Sequence, residues 1–389
     1  MSIKLLLLAL LAAVASPLLA ATPNVILINC DDLGFGDIGC NGAKDIRTPH
    51  LDRMAAQGTR FTDFSVTSAL CTPSRAALMT GKYPGRVGLA EGVLRPDSQS
   101  GLASSEVTLA EVLKPSGYTT GCIGKWHLGF VKGMLPMDQG FDSYYGVLHN
   151  LDHWETDYFV KEGGMPIQRG DVVEKRPAVP AEMTGLYTAE ALKFIETNRE
   201  RPFFLYLAHA MPHIPFDASP RFKGKSKRGL YGDAVEELDD STGQILDKLR
   251  TLGLAEKTLV IFTSDNGPER GTPGTAAPLR GTKHTVLEGG LRVPYIAWWP
   301  GSVPAGRVCS EFISTLDILP TLARLADARL PNTGKLDGYD VSPVLLGHKD
   351  AHSPRTTLYS FYGLKLRPSN PSVRSTGSSI SPHHPNSTT

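Results

Sequence analysis

Cys71 opens the stretch Cys71-Thr72-Pro73-Ser74-Arg75-Ala76-Ala77-Leu78-Met79-Thr80-Gly81. Pro73 suits the first turn of a helix, where an N–H has no intrahelical partner, and Gly81 suits its end, so the thiol is expected immediately before a short helix. Free N–H groups and the positive end of the helix dipole would favour an anion beside residue 71, with Arg75 one turn along. A lone cysteine is more often packing material, so the reading needs other groups. Carboxylates supply them. Asp31-Asp32 close the apolar run Asn24-Val25-Ile26-Leu27-Ile28-Asn29, and Asp265-Asn266 close Thr258-Leu259-Val260-Ile261-Phe262-Thr263-Ser264. Taken singly, each pair is more often a turn or a cap. If both runs lie in one parallel sheet, three carboxylates and an amide oxygen meet at one edge, an all-oxygen set suited to Ca2+ or Mg2+ rather than zinc. Lys125 and His127 in Gly124-Lys125-Trp126-His127-Leu128-Gly129, His209 and His213 after Phe203-Phe204-Leu205-Tyr206-Leu207-Ala208, and Lys283 add groups that hold anions or move protons.

The elements that must position these groups alternate along the chain. The short apolar runs, rich in β-branched residues, read as strands buried on both faces. Helices are predicted at 48–58, 106–114, 184–198, 233–252 and 314–326, with a further strand at 295–299. This is an α/β pattern: a mainly parallel central sheet flanked by helices, with ligand groups at the carboxyl ends of the strands. The 389 residues, 41% of them apolar, suffice for a large core. Forty basic and 39 acidic residues leave a formal charge of +1, so no global field recruits nucleic acid or a membrane surface. The basic run Arg221, Lys223, Lys225, Lys227 and Arg228 reads as a solvated loop, with a lure for a polyanion as the alternative. Asp217 is a weaker candidate substrate contact. Residues 1–20 combine Lys4 with a leucine- and alanine-rich run and small residues at Ala20 and Ala21, the pattern of a cleaved signal peptide rather than a retained anchor. The main domain is drawn at 21–363. The segment 364–389 turns Ser-, Pro- and Thr-rich, and disorder is expected there.

Cys-x-Pro-Ser-Arg followed by Leu-x-Thr-Gly resembles the signature of the type I sulfatases, and similar blocks extend from about residue 24 to about residue 300. The resemblance implies an alkaline-phosphatase-like fold. It also implies that a separate maturation enzyme, reading Cys71, Pro73 and Arg75, oxidises Cys71 to Cα-formylglycine. Asp31, Asp32, Asp265, Asn266 and the modified residue 71 would bind Ca2+, with Mg2+ as the alternative. Lys125 and Lys283 would contact the sulfate, Arg75 would stabilise the nucleophilic oxygen, and His127 would lie beside the formylglycine hydrate. The family's histidine two residues before a proline matches His213, which makes it the general acid and leaves His209 structural. Glu288 and Arg292 hold a loop in this reading. The implied activity is hydrolysis of a sulfate ester, from a carbohydrate or an aryl compound, by an exported enzyme that is periplasmic, secreted or lysosomal according to host. Two alternatives stay open: a phosphate or phosphonate monoester hydrolase built on the same nucleophile, and a non-catalytic binding protein. With Cys71 consumed, Cys30, Cys40, Cys122 and Cys309 remain, and their pairing does not follow from spacing. The family's small C-terminal antiparallel subdomain is expected to be largely missing, through a truncated gene model or a genuine variant.

Overall fold

The apolar runs become the centre of a ten-stranded sheet. The computed structural model describes residues 22–152, 157–330, 332, 334–362 and 365–368. The predicted leader at 1–20, the domain boundary at 363 and residues 369–389 of the predicted tail lie outside the described residues. The strands are, in chain order, β1 (Asn24–Cys30), β2 (Thr59–Phe61), β3 (Phe64–Ser65), β4 (Thr119–Gly124), β5 (Ser143–Gly146), β6 (Ile167–Arg169), β7 (Val172–Lys175), β8 (Phe203–Ala208), β9 (Thr258–Ser264), β10 (Tyr295–Trp298), β11 (Arg307–Cys309), β12 (Ile313–Ser314), β13 (Tyr359–Tyr362) and β14 (Lys365–Pro368). The large sheet runs β11-β2-β10-β9-β1-β8-β4-β5-β6-β7. Its five middle strands, β9 to β5, are parallel, and antiparallel pairings begin at β10 and at β6.

Side-chain alternation along the middle strands explains the two helical layers. Val25 and Leu27 face one way with Phe204, Tyr206, Leu259 and Ile261, against Ala76, Met79 and the Ile318–Leu325 helix. Ile26 and Ile28 face the other way with Leu205, Leu207, Val260 and Phe262, against the helices Pro49–Ala56, Pro180–Thr197 and Gly229–Thr251. Val25, Ile26, Leu27 and Ile28 are fully buried, each worth about 1.5–3 kcal/mol of apolar burial. That is why a run without polar alternation makes a central strand.

Several element boundaries differ from expectation, each for a local reason. Cys71 is the first residue of the Cys71–Thr80 helix rather than the residue before it, with Leu70 as the N-cap. Pro73 still falls in the first turn, where its missing N–H costs nothing. The helix expected at 106–114 shrinks to Leu109–Leu113, because Thr108 and Glu111 form a capping box that sets its start. The helix expected at 314–326 begins as β12 and a short 3-10 turn before Ile318. The sequence predicts no strand between 146 and 179, where β6 and β7 form one edge of the sheet. At the end of the described chain β13 and β14 pair antiparallel.

Candidate active site

Backbone hydrogen bonds continue past the strand ends and draw the chemical groups together. Asp265 N–H donates to the Cys30 carbonyl at 3.0 Å, Asp31 N–H to Met211 at 3.1 Å, and Lys125 N–H to Ala208 at 2.8 Å. The last contact needs Gly124, since a Cβ there would sit 1.8 Å from the Ala208 carbonyl oxygen. The loops after β1, β4, β8 and β9 are thereby laced at the carboxyl edge of the parallel strands, the place where open α/β sheets gather ligand groups.

Cys71 meets this edge from its helix. Its Sγ lies 3.6 Å from Asp31 Oδ1, and the residue is fully buried. Leu70 offers no side-chain cap, so the helix's positive end faces the same place. Asp31 Oδ2 accepts from Lys125 Nζ at 2.6 Å. Arg75 reaches across from the helix, with Nε at 2.9 Å and a terminal nitrogen at 2.8 Å from Asp265 Oδ2, and donates to the Lys125 carbonyl at 2.8 Å. Asp32 accepts from Asn266 Nδ2 at 2.6 Å and Lys283 Nζ at 2.8 Å, with His213 Nε2 at 3.6 Å. Three buried carboxylates thus face Arg75, Lys125 and Lys283. Burial pushes the Asp31 carboxyl up, but Lys125, His213 and Arg75 together outweigh it and hold it below its usual value. Burial keeps Asp265 above its usual range, with Arg75 offsetting only part and Asp31 adding to the rise. Burial also raises the Cys71 thiol, against partial offsets from Lys125 and Lys283.

The residues at this edge can hold a metal ion. Ligand atoms of Asp31, Asp32, Cys71 and His213 lie within 4.8 Å of one another. Asn266 Oδ1 is buried and accepts no hydrogen bond, an omission that an oxygen-seeking ion at this edge would repair. His213 enters this grouping, although the sequence placed it only in proton transfer. Asp265 stands outside it, with Oδ2 on Arg75 and Oδ1 accepting from Asp32 N–H at 3.2 Å.

The histidines divide by what each ring nitrogen meets. His213 Nδ1 is 2.6 Å from the Ile214 carbonyl, which can only accept, so Nδ1 carries a proton and Nε2 faces Asp32. His127 Nε2 is 3.0 Å from the Leu94 carbonyl, so Nε2 carries the proton and Nδ1, buried without a partner, is a bare lone pair. Burial, then neighbouring His149 and Lys125, hold the His127 ring well below its usual value. Asp32 and His127 both have left-handed backbones, φ 65° and 60°, uncommon outside glycine and concentrated at functional sites. His209 instead meets Ser241 Oγ at 3.4 Å, under the helical layer.

A family model described as Sulfatase matches residues 23–328. The chain belongs to the sulfatase family. Over 376 residues the sulfatase is 45% identical to arylsulfatase A of Homo sapiens, covering 91% of this chain and 73% of that protein. Over 348 residues it is 42% identical to N-acetylgalactosamine-6-sulfatase of Mus musculus, covering 83% of this chain and 66% of that protein. Among solved structures it matches Ps i-CgsB in complex with k-i-k-neocarrahexaose, with a TM-score of 0.78 and 34% identity over 87% of this chain and 79% of that one. It is therefore a sulfuric ester hydrolase with the sulfatase, alkaline-phosphatase-like fold.

The sulfatase's site also holds residues that sequence reading passed over. His149 Nε2 donates to the same Leu94 carbonyl at 2.8 Å, and its ring lies 4.5 Å from that of His127. Thr72 Oγ1 donates to the His127 carbonyl and accepts from Leu94 N–H, both at 3.1 Å. Tyr206 OH stands 3.4 Å from Arg75, and Glu269 lies 3.3 Å from Lys283 Nζ. Thr72 lay inside the quoted signature and Tyr206 inside a quoted strand run; His149 and Glu269 carried no local pattern. Three of the five basic residues near 221–228 are paired: Arg221 with Asp240 at 2.8 Å, Lys223 with Asp217 at 2.9 Å, and Arg228 with Asp37 and Asp45, while Lys225 and Lys227 are exposed. This fits the solvated-loop reading over the polyanion lure and ties up Asp217. Glu288 and Arg292 pair at 2.5 Å, as a loop clasp would.

Proposed function

We propose that this sulfatase works with residue 71 as Cα-formylglycine and acts on carbohydrate sulfates, with Ca2+ or Mg2+ held by Asp31, Asp32, Asp265, Asn266 and residue 71. The observation that carries the reading is the burial of Cys71 against the Asp31 carboxylate. A thiol whose ionisation is opposed by burial more strongly than Lys125 and Lys283 favour it is a poor nucleophile, so an oxygen nucleophile at this position is the better assignment. The hydrate of a formylglycine supplies two hydroxyls, one to attack sulfur and one whose deprotonation releases sulfate. A bound divalent cation supplies positive charge to the attacking oxygen and to the sulfate.

The chain's own groups take the remaining roles. Lys125 and Lys283 set compact positive charges on either side of the acidic pair and draw in a tetrahedral anion. Arg75 fixes Asp265 and the Lys125 carbonyl, so it orients the edge while adding charge. His213, with its proton on Nδ1, presents Nε2 toward the site, where a second proton can be carried to the departing ester oxygen. His127 keeps Nδ1 bare and serves as the base for the hydroxyl at residue 71. Carbohydrate as the substrate class is supported by the name of the N-acetylgalactosamine-6-sulfatase relative and by the oligosaccharide in the Ps i-CgsB complex. Export is supported by the leader-like residues 1–20. No helix among the described residues is long and apolar enough to cross a membrane.

The test is the mass of the tryptic peptide from residue 61 to 75, which contains Cys71 and no other cysteine, from protein made in a host with the maturation enzyme. The aldehyde is expected in place of the thiol, together with sulfate release from a sulfated sugar. An unmodified thiol, while a control sulfatase in the same cells is converted, overturns the proposal.

A further inference from the structure

Glu269 is out of place beside an anion site. Its Oε2 lies 3.3 Å from Lys283 Nζ, the amine assigned to the sulfate, and 3.3 Å from His284 Nε2. Arg270 N–H donates to Oε1 at 2.9 Å, so both carboxylate oxygens are held and the group is pre-aimed. Side-chain exposure rises from 5% at Lys283 through 19% at Glu269 to 47% at His284. The carboxylate therefore stands between the buried sulfate-binding amine and solvent. Burial pushes its pKa up, but the His284 hydrogen bond and the charges of Lys283 and His284 more than offset this and bring it to about 2. It is ionised at any working pH.

A carboxylate that only steadied Lys283 would duplicate Asp32, which already holds that amine at 2.8 Å. At the exposed flank it is open to a substituent that a substrate would carry next to the sulfated carbon, which buried Asp32 is not. An anion there is repelled, and a hydroxyl or amide N–H is accepted as a hydrogen-bond donor. Resting on the assignment of Lys283 to the sulfate, we infer that Glu269 is a specificity-determining residue that selects sulfate esters with a neutral hydrogen-bond donor beside the ester and rejects those with a second anionic group there. The substrate class is thus narrowed to monosulfated units with a free neighbouring hydroxyl or amide, and vicinal disulfates are disfavoured.

The experiment uses matured full-length enzyme and three aryl sulfates: phenyl sulfate, catechol monosulfate with an ortho hydroxyl, and salicylate sulfate with an ortho carboxylate. Each is compared between wild type and Glu269→Gln, so that leaving-group differences cancel. Phenyl sulfate reads the common factor arising from Lys283 itself. Relative to that factor, kcat/KM for salicylate sulfate is expected to rise about tenfold in the variant, the scale of one charge contact at a partly exposed site, and that for catechol monosulfate to fall several-fold. Glu269→Asp, which keeps the charge, should restore rejection of the carboxylate. One common factor for all three esters, or no change, overturns the inference while leaving the sulfatase reading intact. Failure of wild type to release sulfate from these esters and from a sulfated sugar alike, with the aldehyde present at residue 71, removes the sulfate assignment of Lys283 and this inference with it.

Discussion

Two buried clusters of acids and bases flank the loop that follows β1, and they differ in what they leave over. Around Asp37 every carboxylate contact is closed within the chain: Oδ1 takes Arg228 and Thr275 N–H, and Oδ2 takes Tyr231 OH at 2.6 Å and Gly34 N–H at 2.9 Å. Around Asp31 and Asp32 the same residue types meet at similar distances, yet Asn266 Oδ1 and His127 Nδ1 are buried without partners. The first cluster is a clasp between the loop and the Gly229–Thr251 helix. The second has valence in reserve, and reserved valence inside a protein is where a ligand or a transferred proton belongs.

The sharpest way to break this contrast is Cys71→Ser, which supplies no second hydroxyl when left unmodified. Sulfate release is expected to fall on the order of a thousandfold or more, with an unfolding midpoint near that of wild type. Asp37→Ala should do the reverse. It strands Tyr231 and two N–H groups and leaves Arg228 with Asp45 alone, at a cost of about 3 kcal/mol in urea unfolding, while the residue-71 aldehyde remains detectable in whatever protein folds. A cation should act on one cluster alone. Calcium at about a hundred times its dissociation constant should stabilise wild type by about 2.7 kcal/mol, chelation should reverse this, and Asn266→Ala should weaken the response where Asp37→Ala does not. The last effect accrues gradually with pH and concerns His209, a buried ring away from both clusters. Burial lowers its pKa from 6.5 to about 3, so below pH 6.5 the unfolded chain takes up a proton that the folded chain refuses. Stability should fall with pH through that window by about 1.4 kcal/mol per unit, and His209→Gln should flatten the slope in urea unfolding between about pH 6.5 and about pH 4.

The sequence made the open cluster easier to read than the closed one. Asp31, Asp32, Asp265 and Asn266 follow unbroken apolar runs, and a strand's end is a physical landmark. Lys125, His127 and His213 follow β4 and β8 in the same way. Asp37, Arg228 and Tyr231 belong to loops and a helix start whose meeting depends on long-range packing, and no spacing announces it. His149 and Glu269 were illegible for the same reason: each is brought to the site by the course of a loop. The start of the Cys71–Thr80 helix was misplaced by one residue because extended Leu70 caps it without a polar side chain, so the usual signal for a helix start is missing.

The Leu94 carbonyl, which receives both His127 and His149, has a consequence for anyone who would retune this enzyme. A peptide oxygen is carried by every amino acid, so no replacement of Leu94's side chain deletes it directly. The two imidazoles are instead governed by the path of the chain between Thr72, which holds Leu94 N–H, and the loop after β5. Inserting or removing a residue near position 94 would alter the basicity of His127 while every chemical side chain of the site stayed in the gene.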